Sequence, residues 1–311
     1  MLEFLRTQNI SENLIRDIIK FRNFYKVDEQ VEYRVPEPKF LFYGQDILEM
    51  AIVAILEGEN ILLSGPKATG KNVLAENLSA IFNRPSWTLS FNVNTDSSTL
   101  VGTDTFLDGQ VRFRPGHISE SAKYGGFGVF DEINMAKNDA IAVLHSALDH
   151  RRIIDIPGYD RILLNEATRF IGTMNYGYIG TKELNEALVS RFMVIEIPSI
   201  SKEKLRLILK SEFEDLTEEY LENFSNLFLD LQLKSQNSEV SSKAVDLRGL
   251  IGSIRAMKRG LSPSLAIKMG VLNKTFDEFE KEIIQDVIDM RLPKKATKKE
   301  IFIKQEKNGT K

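Results

Sequence analysis

The sequence of 311 residues contains no cysteine, which excludes disulfide bonds and cysteine-ligated zinc sites. It has only three histidines, His117, His145 and His150, and no two of them have the H-x-x-x-H spacing of a helical metal site. We therefore expect no transition-metal centre. The absence of cysteine is consistent with a protein of the reducing cytoplasm.

Long hydrophobic runs are also missing. The most apolar uncharged run covers residues 50–56, far short of the ~20 residues that a membrane-spanning helix needs. The first residues lack the apolar stretch of a signal peptide. We therefore expect no membrane span and a cytoplasmic location.

The sequence has no basic excess, because its formal net charge is -3. This balance argues against a dedicated nucleic-acid domain, which usually carries a clear basic surface. The one basic run follows Pro293, and we predict a flexible tail over 293–311, or a contact for an acidic partner or nucleic acid. Its lysines are Lys294, Lys295, Lys298, Lys299, Lys304, Lys307 and Lys311.

Short apolar segments alternate with helical patterns between about residue 40 and Pro198, and only helical patterns follow. The segments 60–64, 87–93, 129–131, 169–173 and 193–197 are the predicted strands. This order favours an α/β fold with a parallel five-stranded sheet covered on both faces. We predict an α/β core over 41–199 and a smaller all-α domain over 200–292. Residues 1–40 form an N-terminal extension with one helix, either a packing arm or a partner-docking element.

The strongest motif has the form G-x-x-x-x-G-K between a predicted strand and a predicted helix. It consists of Gly65, Pro66, Lys67, Ala68, Thr69, Gly70, Lys71 and Asn72. The two glycines let the backbone wrap around an anion, and the amides of the helix start favour phosphate. The ammonium of Lys71 would bind the β- and γ-phosphates of ATP.

Asn72 departs from this motif, because Ser or Thr usually follows the lysine and offers a hydroxyl to Mg²⁺. An amide oxygen is also a hard ligand, but on a longer side chain. We therefore expect ATP to bind, whereas the Mg²⁺ affinity and the turnover depend on Asn72.

Polar residues follow two further predicted strands. Asp131 and Glu132 end one strand, and Asn175 ends another. Ligands collect at the carboxyl edge of parallel sheets. Asp131 would hold Mg²⁺, Glu132 would orient or deprotonate the attacking water, and Asn175 would hold that water or the γ-phosphate.

Arg191 lies at the predicted end of a helix, just before the last strand. One explanation is structural, because a positive charge near the C-terminal end of a helix interacts favourably with the helix dipole. The alternative is a guanidinium supplied to the γ-phosphate, which we favour because such a contact accelerates hydrolysis by about 10³–10⁵.

Together these residues resemble the AAA+ ATPase superfamily. The segment 65–72 resembles its Walker A motif, Asp131 and Glu132 its Walker B motif, Asn175 its sensor 1 and Arg191 its arginine finger. Arg248 is the candidate for sensor 2, and it would contact the nucleotide. The predicted hairpins at 105–113, turning at Asp108-Gly109, and at 152–163, turning at Pro157-Gly158, resemble the MoxR family, in its NorQ, CbbQ and GvpN-like branch.

The resemblance implies a homo-oligomer, a hexameric ring, in which Arg191 reaches the neighbouring subunit's ATP. It implies Mg²⁺-dependent ATP hydrolysis that remodels or activates a client protein, together with a partner that carries a von Willebrand factor A domain. Two alternatives stay open: a ring ATPase that translocates nucleic acid, and an ATP-gated scaffold with little turnover.

Overall fold

The computed structural model of the protein describes residues 1–136, 138–156, 158–176, 184–293 and 296–303. The chain divides into two compact units, Met1–Pro198 and Ser199–Lys311. No helix among the described residues is both long enough and apolar enough to cross a bilayer.

The larger unit contains a five-stranded sheet in the order β2-β5-β8-β1-β9, with all neighbouring strands parallel. The strands are β1 (Ile61–Gly65), β2 (Ser86–Ser90), β3 (Gly102–Leu107), β4 (Gln110–Pro115), β5 (Phe127–Asp131), β6 (Ile153–Ile154), β7 (Ile162–Leu163), β8 (Arg169–Asn175) and β9 (Met193–Glu196). The predicted parallel five-stranded sheet is therefore confirmed. β2 is shorter than predicted, because Asn92 and Thr95 form a hydrogen-bonded turn after it.

Helices cover both faces of this sheet. They are α1 (Leu2–Thr7), α2 (Glu12–Phe24), α3 (Gln45–Leu56), α4 (Lys71–Ile81), α5 (Ser97–Val101), α6 (His117–Tyr124), α7 (Asn138–Leu148) and α8 (Glu186–Val189). Successive residues of β1 belong to two separate core clusters. Ile61 and Leu63 pack with α2, α3 and α4, whereas Leu62 packs with α5, α6 and α7. This alternation follows from the two-residue period of a strand.

The N-terminal helices are part of the larger unit. Ile15 and Ile18 of α2 are fully buried in the same cluster as β1. Arg22 donates hydrogen bonds from Nε to the carbonyl of Ile81 at 2.7 Å and from Nη2 to the carbonyl of Ala80 at 2.9 Å. These bonds satisfy carbonyls at the C-terminal end of α4. The predicted extension thus packs on the core and on the helix that follows the phosphate loop.

The larger unit contains two hairpins outside the five-stranded sheet. β3 and β4 pair from Gly102↔Pro115 to Leu107↔Gln110, which makes the hairpin longer than the predicted 105–113. It turns at Asp108 and Gly109, which both have positive φ, as a two-residue turn requires. The predicted turn of the second hairpin includes Pro157, which lies outside the described residues.

β6 and β7 form the second hairpin, and its Tyr159 contacts the first one. The Tyr159 hydroxyl donates to Asp104 Oδ1 at 2.6 Å, and its ring lies 5.0 Å from that of Phe113. The two hairpins therefore contact each other, and Ile154 of the second one is buried in the core.

The smaller unit is helical, in agreement with the predicted all-α region. Its helices are α9 (Lys202–Glu212), α10 (Glu218–Gln236), α11 (Leu247–Lys258), α12 (Pro263–Gly270), α13 (Glu278–Arg291) and α14 (Lys298–Ile301). α11 and α12 approach each other closely at Gly249 and Gly270. A Cβ at Gly249 would lie only 2.0 Å from the carbonyl oxygen of Gly270, so the close approach requires glycine.

The prediction of a flexible tail from residue 293 is wrong for residues 296–303. Ile301 and Phe302 are buried within the smaller unit. The amide of Thr217 donates to the carbonyl of Ile301 at 3.0 Å, and Ile303 donates to the carbonyl of Asp215 at 2.7 Å. These apolar side chains, set within the lysine run, account for the ordered segment. Lys294, Lys295, Lys304, Lys307 and Lys311 lie outside the described residues.

Candidate functional site

The predicted site residues of three strands meet at the carboxyl edge of the sheet. Gly65, the last residue of β1, pairs in register with Asn175, the last residue of β8. Asp131 ends β5, which lies on the other side of β8. The strand order therefore brings the phosphate loop, the two acids and Asn175 together, as the sequence predicts.

The phosphate loop leads directly from β1 into α4. A Cβ at Gly65 would lie 2.3 Å from the carbonyl oxygen of Ile197, so only glycine fits there. Ala68 and Gly70 have φ angles of 60° and 87°, in the left-handed region. No side chain caps the first amides of α4. These amides are thus available to an anion at the helix start.

Lys71, the first residue of α4, is buried, and its ammonium turns back towards the loop. Nζ donates to the carbonyl of Gly65 at 2.9 Å and to the carbonyl of Pro66 at 2.6 Å. Burial lowers the pKa of Lys71 to about 8, while the nearby carboxylates of Asp131 and Glu132 act in the opposite direction. The ammonium therefore lies within the electrostatic reach of both acids.

The other loop side chains are partly or fully exposed. The Thr69 hydroxyl donates to the carbonyl of Pro66 at 3.0 Å, which closes the loop. The charge of Lys67 helps to lower the pKa of Lys71. The side chain of Asn72 is exposed on the first turn of α4.

The acids and Asn175 form one hydrogen-bonded group. Asn175 Nδ2 donates to Glu132 Oε1 at 3.1 Å. The hydroxyl of Thr173 donates to Asp131 Oδ1 at 2.7 Å and accepts a hydrogen bond from the amide of Glu132 at 3.2 Å. Glu132 has a φ of 54°, in the left-handed region that non-glycine residues seldom adopt. Both acids are partly exposed, so water and substrate can reach them.

Two further residues, Thr173 and Asn134, contact this group and were not predicted from the sequence. Asn134 Nδ2 donates to the carbonyl of Asn175 at 3.3 Å. The position of Thr173, two residues before Asn175 on the same strand, could have pointed to it, because residues i and i+2 share a face. No comparable sequence signal marks Asn134.

Arg191 lies after α8, just before β9. Its Nη1 donates to the carbonyl of Ala187. In the part of the chain that the structure describes, Nε of Arg191 and Nδ1 of His145 are buried without hydrogen-bond partners. Burial, followed by the charge of Arg191, lowers the pKa of His145. Arg191 is therefore close to α7.

Arg248 is exposed on the first turn of α11 in the smaller unit. Its amide donates to Asp246 Oδ1 at 3.1 Å, so that Asp246 caps the helix. Its sensor 2 role remains a prediction from the resemblance.

The residues of the loop and of the sheet edge fit ATP and Mg²⁺. The uncapped start of α4 and the Lys71 ammonium suit phosphate. Asp131 and Asn72 offer the oxygen ligands that Mg²⁺ prefers. Among the described residues, no group of three or more His, Asp or Glu could hold a metal by itself. A Mg²⁺ ion here would therefore depend on phosphate oxygens as well.

Comparison with known proteins identifies the family. Residues 60–192 match the model of the AAA domain, dynein-related subfamily. The uncharacterized protein YojN of Bacillus subtilis is 34% identical over 248 residues, which cover 78% of this chain and 81% of YojN. An uncharacterized protein of Staphylococcus epidermidis is 30% identical over 253 residues, 79% of this chain and 95% of that protein.

A crystal structure described as a "putative ATPase" from Cytophaga hutchinsonii is 17% identical, with a TM-score of 0.42 over 90% of this chain and 87% of that one. The MoxR family appears in none of these descriptions. The matched segment contains the phosphate loop, both acids, Asn175 and Arg191. The chain belongs to the AAA-type ATPase family, in the group that includes YojN of Bacillus subtilis.

Proposed function

We propose that this protein hydrolyses ATP with Mg²⁺ and uses the reaction to remodel a partner protein. The observation that best supports ATP hydrolysis is the hydrogen bond from Asn175 Nδ2 to Glu132 Oε1. It holds a carboxylate that can act as a base at the sheet edge, just after β5, which is separated by β8 from the strand that ends at Gly65.

Each residue has a distinct task in this proposal. The amides at the start of α4 and the Lys71 ammonium bind the phosphates of ATP. Asp131 and Asn72 hold Mg²⁺, which supplies charge neutralisation at the β- and γ-phosphates. Glu132 accepts a proton from the attacking water, while Asn175 fixes the orientation of its carboxylate.

Arg191 completes the site from a neighbouring subunit. Within one chain, its guanidinium contacts the carbonyl of Ala187 and lies near His145. A finger supplied by the next subunit requires a head-to-tail ring, and the resemblance implies a hexamer. Arg248, in the smaller unit, would contact the nucleotide as sensor 2.

The first hairpin supports the proposal that the protein acts on a partner protein. Phe106, Leu107 and Val111 are strongly exposed near its tip, and exposed apolar groups of this kind mark protein contacts. We propose a protein client there and, from the MoxR resemblance, a partner with a von Willebrand factor A domain. The net charge of -3 disfavours nucleic acid as the moving substrate.

A second candidate rests on Asn72. Its exposed amide replaces the hydroxyl that the motif usually supplies to Mg²⁺. The protein would then bind ATP as a gated scaffold and turn it over slowly. Replacement of Asn72 by Thr would raise turnover sharply in this case, whereas a working ATPase would change little.

The test is steady-state ATP hydrolysis with Mg²⁺ by the wild type, Glu132→Gln, Asn72→Thr and the control Glu57→Gln. Glu57 is exposed at the end of α3, before β1, and thus at the opposite edge of the sheet. We expect Glu132→Gln to lose hydrolysis while it still binds ATP, and Glu57→Gln to match the wild type. Equal rates for the wild type and Glu132→Gln would refute the proposed chemistry.

A further inference from the structure

Thr173 occupies the centre of the hydrogen-bonded group that joins β5 to β8. We propose that Thr173 is a positioning residue for ATP hydrolysis, whose single hydroxyl fixes the Mg²⁺-binding acid and the general base at the same time. This inference rests on the proposed function and names a residue for it that the Walker and sensor motifs do not contain.

The two partners of the Thr173 hydroxyl have opposite hydrogen-bonding capacities. Asp131 Oδ1 is a carboxylate oxygen and can only accept, whereas the amide of Glu132 can only donate. The group between them must therefore donate in one direction and accept in the other. The Thr173 hydroxyl does both, at 2.7 Å and 3.2 Å, from a side chain that is 1% exposed. A side chain that replaces Thr173 must therefore also carry a hydroxyl group.

The bond to Asp131 sets the rotation of that carboxylate. A hydroxyl that donates to a charged oxygen makes a short and strong hydrogen bond. With Oδ1 engaged by Thr173 at 2.7 Å, Oδ2 is the less tightly bound oxygen, since its contact with the Ser90 hydroxyl is 3.5 Å long. Thr173 thus selects which carboxylate oxygen faces a cation or its water ligand.

The bond to the amide of Glu132 holds the backbone in the left-handed region. A φ of 54° is unfavourable for a glutamate, so it persists only where neighbours hold it. In this conformation the Glu132 carboxylate reaches Asn175 Nδ2 at 3.1 Å. Thr173 and Asn175 are two residues apart on β8 and so share one face of the strand. Thr173 and Asn175, on one face of β8, therefore position both Asp131 at the end of β5 and Glu132 directly after it.

The experiment compares Thr173→Val, Thr173→Ser and the control Thr168→Val. Valine keeps the shape of threonine and removes the hydroxyl, whereas serine keeps the hydroxyl. Thr168 is also a fully buried threonine, and its hydroxyl donates to the carbonyl of Ser121 at 3.0 Å. It lies just before β8, at the amino end, so its replacement costs a buried hydrogen bond without touching the acids.

We expect Thr173→Val to lower kcat about 10- to 100-fold and to raise the Mg²⁺ concentration for half-maximal activity, with a smaller change in the KM for ATP. Thr173→Ser should restore both values, and Thr168→Val should leave both unchanged. A merely structural role would lower the stability of both valine variants alike and leave the Mg²⁺ dependence of each as in the wild type. That result would overturn the proposal.

A binding measurement separates this inference from the proposed hydrolysis. A non-hydrolysable ATP analogue is titrated into each variant with and without Mg²⁺. If the wild type shows no hydrolysis, the proposed function fails. The role of Thr173 still stands if Mg²⁺ tightens analogue binding to the wild type and to Thr173→Ser but not to Thr173→Val. An equal gain in Thr173→Val, or no gain in the wild type, would overturn it.

Discussion

The N-terminal helix α2 offers a direct test of the claim that residues 1–40 belong to the core. Ile18 is fully buried in the cluster that contains β1, whereas its neighbour Ile19 is 36% exposed. Replacement of either by alanine changes the helix propensity equally. The difference between the two variants therefore measures burial alone.

The expected magnitude follows from the buried volume. A buried Ile→Ala change costs about 2–5 kcal/mol of unfolding free energy, whereas an exposed change costs less than about 0.5 kcal/mol. With a urea dependence of about 3 kcal/mol per molar, Ile18→Ala should lower the midpoint by about 1 M. Ile19→Ala should leave it nearly unchanged.

The assay is urea unfolding followed by fluorescence of Trp87. It is the only tryptophan of the sequence, and it is buried on β2 of the larger unit. Its signal therefore reports on the unit into which α2 packs. Equal midpoints for Ile18→Ala, Ile19→Ala and the wild type would refute the reasoning, because α2 would then contribute no core contact.

Four further variants test other parts of the molecule. Burial lowers the pKa of Lys71 from 10.5 to about 8, so the folded state carries an unfavourable charge below pH 8 and gains stability between pH 8 and 10.5. Lys71→Met should remove this pH dependence, so that the wild type gains stability relative to Lys71→Met as the pH rises from 8 to 10.5, while ATP binding is lost; a constant difference in Tm between the two over this pH range would contradict this. Gly249→Ala should destabilise the smaller unit, because its Cβ would meet the carbonyl oxygen of Gly270. The Cβ of Gly252→Ala meets no atom within 4 Å, so this change should stabilise α11 by about 0.5–1 kcal/mol. Thermal unfolding followed by circular dichroism compares the two variants, and equal Tm values would contradict the close contact with Gly270. Gly109 has a φ of 76° and open space around it, so Gly109→Val should loosen only the first hairpin; faster amide exchange over 102–115 with an unchanged Trp87 transition is expected, and unchanged exchange would contradict it.

The sequence predicts the sheet well because its signals are local. Gly65, Gly70 and Lys71 lie in one short motif, and each strand is a short apolar run with turn residues after it. The parallel order follows from the alternation with helices. Local patterns therefore suffice for the phosphate loop and for the strand ends that surround it.

What the sequence does not predict depends on contacts between distant residues. Ile301 and Phe302 look like part of a charged tail until their burial in the smaller unit is seen. The role of Thr173 appears only when β5 and β8 are paired, because its hydroxyl bonds to residues 41 and 42 positions away. The contact of Arg22 with the end of α4 spans a similar distance along the chain.

The most direct test of the account mixes two inactive variants, Glu132→Gln and Arg191→Ala. If Arg191 acts on the neighbouring subunit's ATP, each site takes Glu132 from one subunit and Arg191 from the next. An Arg191→Ala subunit still has Glu132, so its site becomes active when the neighbour that supplies Arg191 is a Glu132→Gln subunit. An equal mixture should then recover up to about a quarter of the wild-type hydrolysis rate, since about one interface in four combines the two intact residues. A mixture as inactive as its components would contradict the shared site, and hydrolysis by Glu132→Gln alone would contradict the proposed chemistry.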